Sequence, residues 1–288
     1  MPLSSIIKKH CEVCGKIAIE QSRLDLGDSI LISLECGHVH SQDKISAADY
    51  TALTSTDGRK LMPFQIEGIK FIEQSNARCL IADEQGLGKT VQICAAIKLH
   101  PELLPAIVVT KTTIKKQWMW ELIRWTSSSK IQVIQTGKEF AVPGFDFYVT
   151  TYDKIKNEEM FSQIQPQTLI LDECQAIKNH LSARAKAIQK IAANIPHILG
   201  ASGTYIKNNA GEAFTMHNIL KPERYPEYNR FLRDDCDSYE TMYGYKVGGV
   251  RDINDWKDKT SDFIIRRLQK DVLPDLFALK QPRKFQHV

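Results

Sequence analysis

The stretch that decides the fold is Ala82-Asp83-Glu84-Gln85-Gly86-Leu87-Gly88-Lys89-Thr90. It follows the apolar residues 79–82 and leads into the largely apolar residues 91–97, which is the order of strand, glycine loop and helix that a phosphate-binding loop requires. Gly86 and Gly88 have no Cβ, so backbone N–H groups can close around a phosphate. We therefore predict that residues 83–90 bind a nucleotide, that Lys89 reaches its β and γ phosphates, and that Thr90 completes the ligand shell of Mg²⁺.

One position of this loop departs from the usual pattern. The pattern G-x-x-x-x-G-K-[ST] asks for glycine where this chain has Asp83. The alternative is a glycine-rich turn that merely begins a buried helix. Gly-Lys-Thr in the loop after an apolar strand favours phosphate binding over that alternative.

The composition is that of a soluble globular protein, with 288 residues, 43% hydrophobic and 25% charged. This length suffices for one large α/β domain and a small appendage. We find no apolar run long enough to span a bilayer and no signal-peptide core, so we expect no membrane partner. The net charge of +4 is too small to indicate a nucleic-acid partner by itself.

The cysteines fall into two groups, one near the start of the chain beside several histidines and one scattered through the rest. The second group is predicted to consist of ordinary buried thiols: Cys79, Cys94, Cys174 and Cys236. Both groups fit a reducing compartment. We expect the cytoplasm of a bacterium or phage-infected cell, or the nucleus if the protein is eukaryotic.

Residues 1–45 are predicted to form a small zinc-binding element. Cys11 and Cys14 make a C-x-x-C pair, and Cys36 and His38 follow as a second pair, with His40 as the alternative fourth ligand. The loosely alternating residues 16–34 predict a β-hairpin that brings the pairs together. So short a segment buries little core, and a zinc ion would explain how it folds.

Two alternatives to this zinc element are a metal-free hairpin and a ubiquitin-ligase RING. The RING needs eight ligands, and no second set is present. Residues 46–60 are predicted to be a linker, with residues 54–58 as their most turn-like part.

The remaining chain alternates apolar strands with helices, which predicts an α/β fold with a parallel sheet and helices on both faces. The predicted strands are residues 79–82, 105–110, 131–134, 147–152, 168–171 and 197–201. The predicted helix 114–125 carries Trp118, Trp120 and Trp125, which we interpret as core residues rather than a base-stacking platform.

Asp172 and Glu173 stand at the end of an apolar strand, as in a Walker B site. Asp172 would hold Mg²⁺ through water, and Glu173 would orient and deprotonate the attacking water. The alternative is a helix N-terminus with acidic caps. Residues 202–204 are Ser-Gly-Thr, and we predict that the small hydroxyl residues there relay the nucleotide state to Gln175. Gln65, ahead of the loop, has an amide that can pair with an adenine edge.

These motifs together resemble the first motor lobe of superfamily 2 helicase-like ATPases, specifically the Swi/Snf type of double-stranded DNA translocase. The resemblance covers roughly residue 61 to the C-terminus. It rests on six segments of the chain, namely residues 61–68, 83–90, 149–152, 172–179, 202–209 and 263–274. The family's own loop carries aspartate at the position of Asp83. Met62, Gln175 and Tyr205 replace the more usual arginine, histidine and proline.

The resemblance implies a RecA-like fold for residues 61–288, a P-loop NTPase lobe with a C-terminal helical extension, and a mechanism for it. ATP binds between two such lobes. The pair of lobes moves along one strand of duplex DNA as the cleft between them closes and opens. The second lobe, which we expect to be missing here, supplies an arginine finger, so this lobe alone should hydrolyse ATP poorly. The spacing of the motifs is most similar to that in the compact fork-remodelling and strand-annealing branch of the family.

In this family, duplex DNA is contacted by residues at the ends of β-strands, which bind its phosphates and make no base-specific contacts. The candidates here are Lys111, Thr151, Lys154 and Lys207. Two other functions remain open. One is a superfamily 2 RNA helicase. The other is a zinc-dependent nucleic-acid or protein docking module on an inactive ATPase scaffold, with a protein partner bound through the zinc element.

Overall fold

A computed structural model describes residues 8–10, 17–25, 29–34, 39–43, 47–156, 158–242 and 244–274, with side chains from residue 50 onward, except residues 158 and 244. The chain divides into two compact units. The first comprises residues 1–54 and 58–61, and the second comprises residues 55–57 and 62–288. Among the described residues, no helix has both the length and the apolar character that a bilayer crossing requires.

The first unit contains a four-stranded antiparallel sheet in the order β1-β2-β3-β4. Its strands are β1 (Lys8–His10), β2 (Ile17–Asp25), β3 (Ser29–Leu34) and β4 (Val39–Asp43), and they are followed by α1 (Ala47–Ala52). β2 and β3 form the antiparallel hairpin that the alternation predicts. An isolated bridge joins Thr54 to Lys60, so the predicted linker 46–60 contains both this bridge and α1.

The predicted zinc ligands Cys11, Cys14, Cys36 and His38 lie outside the described residues. The strands that flank them are described. His10 pairs with Ile17, Glu20 with Leu34, and Ser33 with Val39, so the strand ends on either side of both ligand pairs lie at one end of the sheet. Within the described residues there is no group of three side chains able to hold a metal ion. Zinc therefore stays a prediction.

The second unit is built on a seven-stranded sheet in which every neighbouring pair of strands is parallel. The strands of this sheet are β5 (Arg78–Ile81), β6 (Ala106–Thr110), β7 (Ile131–Val133), β8 (Phe147–Thr151), β9 (Thr168–Asp172), β10 (His197–Ala201) and β13 (Ile264–Ile265). The unit also contains a separate hairpin of β11 (Cys236–Thr241) and β12 (Gly244–Val250). The order in the sheet is β13-β5-β10-β9-β6-β8-β7. The predicted parallel sheet is confirmed, and β13 is an additional strand.

The helices of this unit are α2 (Pro63–Gln74), α3 (Lys89–Leu99), α4 (Lys115–Thr126), α5 (Ala183–Ala192), α6 (Phe214–Leu220), α7 (Tyr228–Asp235), α8 (Ile253–Thr260) and α9 (Gln269–Val272). α3 packs against α2 and α4, whereas α5 packs against α6. The chain moves towards β7 through α3 and α4 and returns towards β13 through α5 and α6. Because parallel crossovers are right-handed, the two groups cover opposite faces of the sheet.

The core confirms several sequence-based interpretations. Cys79, Cys94, Cys174 and Cys236 are all buried free thiols. On α4, Trp118 and Trp125 belong to the core as predicted, but the same prediction is wrong for Trp120, which is 58% exposed. The antiparallel hairpin of β11 and β12 was not predicted, because it interrupts the alternation of strands and helices.

His217 on α6 is fully buried inside a cluster of aromatic rings. Its ring centroid lies 4.8 Å from that of Tyr225, 4.9 Å from Trp256 and 5.2 Å from Phe263. Neither of its ring nitrogens has a hydrogen-bond partner among the described residues. Burial, aided by the charge of Arg224, lowers the pKa of His217 from 6.5 to about 3. The folded protein therefore holds this imidazole neutral.

We expect His217 to make the second unit sensitive to acid. The unfolded chain binds a proton at this histidine below pH 6.5 and the folded chain does not until about pH 3, so stability falls as the pH falls through that window. Between pH 6.5 and pH 5 the loss from this residue is about 2 kcal/mol. Urea unfolding followed by tryptophan fluorescence measures it, because all 4 tryptophans lie in this unit. His217→Phe should show a correspondingly shallower pH dependence, and parallel curves would contradict the assignment.

Candidate active site

The predicted phosphate loop connects β5 to α3, as the sequence indicates. Gly86 and Gly88 adopt left-handed conformations with φ of 87° and 70°. Both also meet a side chain closely: a Cβ would lie 2.8 Å from Gln269 Nε2 at Gly86 and 2.5 Å from Gln65 Nε2 at Gly88. The left-handed backbone favours glycine at these two positions, whereas the two amides are the ends of flexible side chains and could move aside.

Gln65, the candidate for reading adenine, lies beside this loop. It is buried in the first turn of α2, where its Oε1 accepts a hydrogen bond of 3.0 Å from the N–H of Met62. That bond holds its Nε2 against Gly88. The structure thus brings Gln65 to the candidate nucleotide site from a different element.

Lys89 is enclosed by the loop, where its Nζ donates to the carbonyls of Asp83 at 2.8 Å and Glu84 at 3.2 Å. Burial lowers the pKa of Lys89, while the charges of Asp83, Glu173 and Asp172 partly oppose that shift. A half-buried ammonium held by loop carbonyls near acidic side chains fits a phosphate chain with a divalent cation. The loop and the acidic pair at the end of β9 form one site.

Asp172 is a buried carboxylate with two side-chain donors. Its Oδ2 accepts hydrogen bonds of 2.8 Å from Thr110 Oγ1 and of 2.8 Å from Trp118 Nε1. Burial raises the pKa of Asp172, and the bonds from Trp118 and Thr110 oppose the shift. Both donors stabilise the ionised form that a magnesium ligand requires.

Glu173 stands in a left-handed conformation with φ of 52°. Such a conformation costs a non-glycine residue on the order of 1–3 kcal/mol and is typical of functional sites. Its Oε2 accepts a hydrogen bond from Gln175 Nε2 and lies 3.9 Å from Lys111 Nζ. Ser202 Oγ in turn donates to Gln175 Oε1 at 2.6 Å. The residues predicted to relay the nucleotide state are therefore in contact in a continuous series.

Two of the predicted DNA contacts meet in one cleft at the carboxyl ends of β6 and β8. The cleft has a volume of about 370 Å³ and is lined by Thr110, Lys111, Thr112, Thr151, Tyr152, Asp153, Ala176 and Arg184. Lys111 is 53% exposed there, whereas Thr151 is mostly buried. Lys154 instead donates from Nζ to the carbonyl of Gln135, and Lys207 is an exposed residue outside this cleft.

Sequence reasoning missed two residues of this site. Trp118 was interpreted as core alone, although its position on the helix after β6 places its indole N–H against Asp172. Arg267 lies in a segment quoted only for its resemblance, yet it pairs with Asp83. An aspartate beside an apolar strand is a signal that could have found it, because a buried carboxylate needs a cation or several donors.

The SNF2-related domain family matches residues 64–287 of the chain. The chain belongs to this family. The predicted resemblance is thus confirmed, and the loop, the acidic pair and β13 all lie within the matched SNF2-related domain.

The domain is similar to two curated members of this family. It is 29% identical over 242 residues to the SWI/SNF-related matrix-associated actin-dependent regulator of chromatin subfamily A-like protein 1 of Xenopus tropicalis, covering 82% of this chain and 26% of the relative. It is 26% identical over 236 residues to the human DNA annealing helicase and endonuclease ZRANB3, covering 75% of this chain and 21% of the relative. The chain thus spans about a quarter of the length of these relatives.

A solved structure has the same fold as this SNF2-related domain. The Sulfolobus solfataricus SWI2/SNF2 ATPase core in complex with dsDNA superposes with a TM-score of 0.62 at 24% identity. The match covers 76% of this chain and 47% of that one. The similarity establishes the architecture of the lobe.

Proposed function

We propose that this SNF2-related domain is the ATP-binding first lobe of an ATP-dependent double-stranded DNA translocase. The observation that carries the proposal is the position of Lys89, which lies inside a glycine loop and close to Asp172 and Glu173. The names of the relatives support the proposal, since they include a DNA annealing helicase and an ATPase core in complex with dsDNA.

The chain's own residues would bind the nucleotide as follows. The loop amides and Lys89 bind the phosphates, and Gln65 contacts the adenine edge. Thr90 and Asp172 would hold Mg²⁺, which when bound neutralises charge on the phosphates.

Glu173 would act as the general base of hydrolysis. It orients the attacking water and accepts its proton. Its bond from Gln175, and the bond from Ser202 to Gln175, connect this carboxylate to the loop after β10. A change at the phosphates is thereby transmitted to residues 202–204.

The DNA would bind across the carboxyl ends of β6 and β8 by its phosphates alone. Lys111 supplies a charge at the cleft, and Thr151 lines it as well. Lys154 and Lys207 are the other candidates, and neither lines the cleft. Phosphate contacts of this kind position a duplex without reading its sequence. A second RecA-like lobe would supply the arginine finger, so we expect slow hydrolysis by this lobe alone.

The decisive experiment measures ATP turnover with double-stranded DNA, single-stranded DNA and RNA, on this lobe joined to a second lobe. Glu173→Gln serves as the blank. Stimulation by duplex DNA that disappears in the variant supports the translocase. Stimulation by RNA favours the RNA helicase, and no stimulation by any nucleic acid favours the docking module.

For the N-terminal element we propose one zinc ion held by Cys11, Cys14, Cys36 and either His38 or His40. The proposal is supported by the pairing of the strands that flank the two ligand pairs, because the ends of those strands lie at the same end of the sheet. The purified chain should contain about one equivalent of zinc, and Cys14→Ser should lose it while keeping nucleotide affinity. Removal of residues 1–50 without effect on partner binding would contradict the docking function.

A further inference from the structure

Asp83 is the residue that departs from the usual phosphate-loop pattern, and its carboxylate is 0% exposed. Its Oδ1 accepts hydrogen bonds of 3.0 Å from both the backbone N–H and the Nε of Arg267. Its Oδ2 accepts bonds from Arg267 Nη2 at 2.6 Å and from Gln92 Nε2 at 3.0 Å. Both oxygens are therefore satisfied, mostly by one arginine.

The guanidinium of Arg267 has further partners on two other elements. Its Nη1 donates to the carbonyl of Phe64 in the first turn of α2, and its Nη2 also donates to Gln92 Oε1 at 2.9 Å. It also stacks over the Phe64 ring, 5.6 Å from the centroid. Arg267 thus connects the phosphate loop, α3 and the residue next to Gln65.

The backbone around Arg267 runs alongside the loop. Ala82 N–H donates to the carbonyl of Ile265 at 2.7 Å, and Glu84 N–H donates to the carbonyl of Arg267 at 2.9 Å. Further along, the N–H of Gln269 donates to Glu84 Oε2 at 2.6 Å. The parallel pairing of β13 with β5 therefore continues past the sheet into the phosphate loop itself.

We propose that Arg267 is a positioning residue that holds the phosphate loop through Asp83 and couples nucleotide binding to β13 and the residues that follow it. This inference rests on the proposed nucleotide binding. A change in the loop on binding phosphate moves Asp83, and Arg267 carries that change to β13 because its side chain and its backbone N–H both bind the same carboxylate.

The geometry distinguishes arginine from lysine at this position. Only a planar fork can bind both oxygens of Asp83 while donating to Phe64 and Gln92. An ammonium would keep the charge balance but lose most of these bonds. Arg267→Lys therefore removes the positioning while leaving the buried carboxylate paired with a cation.

The test measures the affinity of the chain for a fluorescent ATP analogue with Mg²⁺, together with nucleotide-dependent hydrogen exchange of residues 264–272. In the unsubstituted protein we expect the nucleotide to slow exchange in that segment. Arg267→Lys should raise Kd at least tenfold, equivalent to about 1.4 kcal/mol, and abolish the nucleotide-dependent protection. The matched control is Arg230→Lys, because Arg230 pairs with Asp234 on the surface; it should change neither quantity.

A role confined to stability would give a different result. Arg267→Lys would then lower the melting temperature without changing Kd or the protection pattern, and the inference would be overturned. Asp83→Asn, which keeps the shape and removes the charge, should reproduce the effects on Kd and exchange, and it decides the matter if Arg267→Lys fails to fold. Failure of the unsubstituted chain to bind nucleotide removes the proposed function and this inference with it. If the unsubstituted chain binds nucleotide and both variants keep its Kd and its exchange pattern, the inference about Arg267 is wrong and the proposed function stands.

Discussion

Glu173→Gln is expected to slow DNA-stimulated ATP turnover by about 10²–10⁴-fold, the usual contribution of a general base. The amide has nearly the shape of the carboxylate but cannot accept a proton from water at neutral pH. It can still accept a hydrogen bond from Gln175, so the series from Ser202 to residue 173 is preserved. The loss should therefore fall on turnover, measured as steady-state phosphate release by the lobe joined to its second lobe.

Nucleotide affinity separates this result from a folding defect. Glu173→Gln should bind a fluorescent ATP analogue as tightly as the unsubstituted protein does, since Lys89 and the loop are unchanged. A variant that retains more than about a tenth of the turnover would show that another group takes the proton.

Trp118→Phe is expected to lower the free energy of unfolding by about 2–3 kcal/mol at pH 7. The substitution keeps most of the buried ring and removes the N–H that donates to Asp172, and hydrogen bonds to charged groups contribute about 1.5–3 kcal/mol. Of the two side-chain hydrogen bonds to Asp172, only the one from Thr110 would then remain. We also expect a weaker dependence of nucleotide binding on Mg²⁺, because Asp172 is less firmly held in its ionised form.

The pH dependence of this effect has a definite sign. Burial already raises the pKa of Asp172, and loss of the indole donor raises it further. The destabilisation by Trp118→Phe should be largest where Asp172 is ionised and should shrink as the pH falls through its raised pKa. Urea unfolding at a series of pH values from pH 7 downward tests this, with Trp120→Phe as the control because Trp120 is exposed. A loss that stays constant across the series would contradict the role assigned to the indole N–H.

The parts of the site that lie on one stretch of chain were predictable from the sequence. The loop from Asp83 to Thr90 and the acidic pair after β9 depend on local order: apolar strand, then polar residues at its carboxyl end. Parallel strands bring such ends together at one edge of a sheet. That is why Lys89 and Asp172 lie near enough for their charges to interact.

The contacts between distant segments were not predictable in this way. Asp83 and Arg267 are separated by 184 positions, and no periodicity or spacing relates them. Trp118 was predicted to be core because its helix carries several tryptophans, and burial alone does not reveal that its N–H faces a carboxylate. The hairpin of β11 and β12 likewise depends on cross-strand pairing, which the alternation of apolar residues does not reveal.

The place of β13 in the sheet has a consequence for synthesis on the ribosome. β5 has neighbours on both sides only when β10 and β13 have been made, and the pairing of Ile81 with Ile265 spans 184 positions. At translation rates of 5–20 residues per second, β13 emerges roughly 10–40 s after β5. Throughout that interval β5 is an unprotected edge that other chains can pair with. The nucleotide loop is therefore among the last parts of the lobe to reach its native environment, and nascent chains stalled before β13 should be recognised by chaperones.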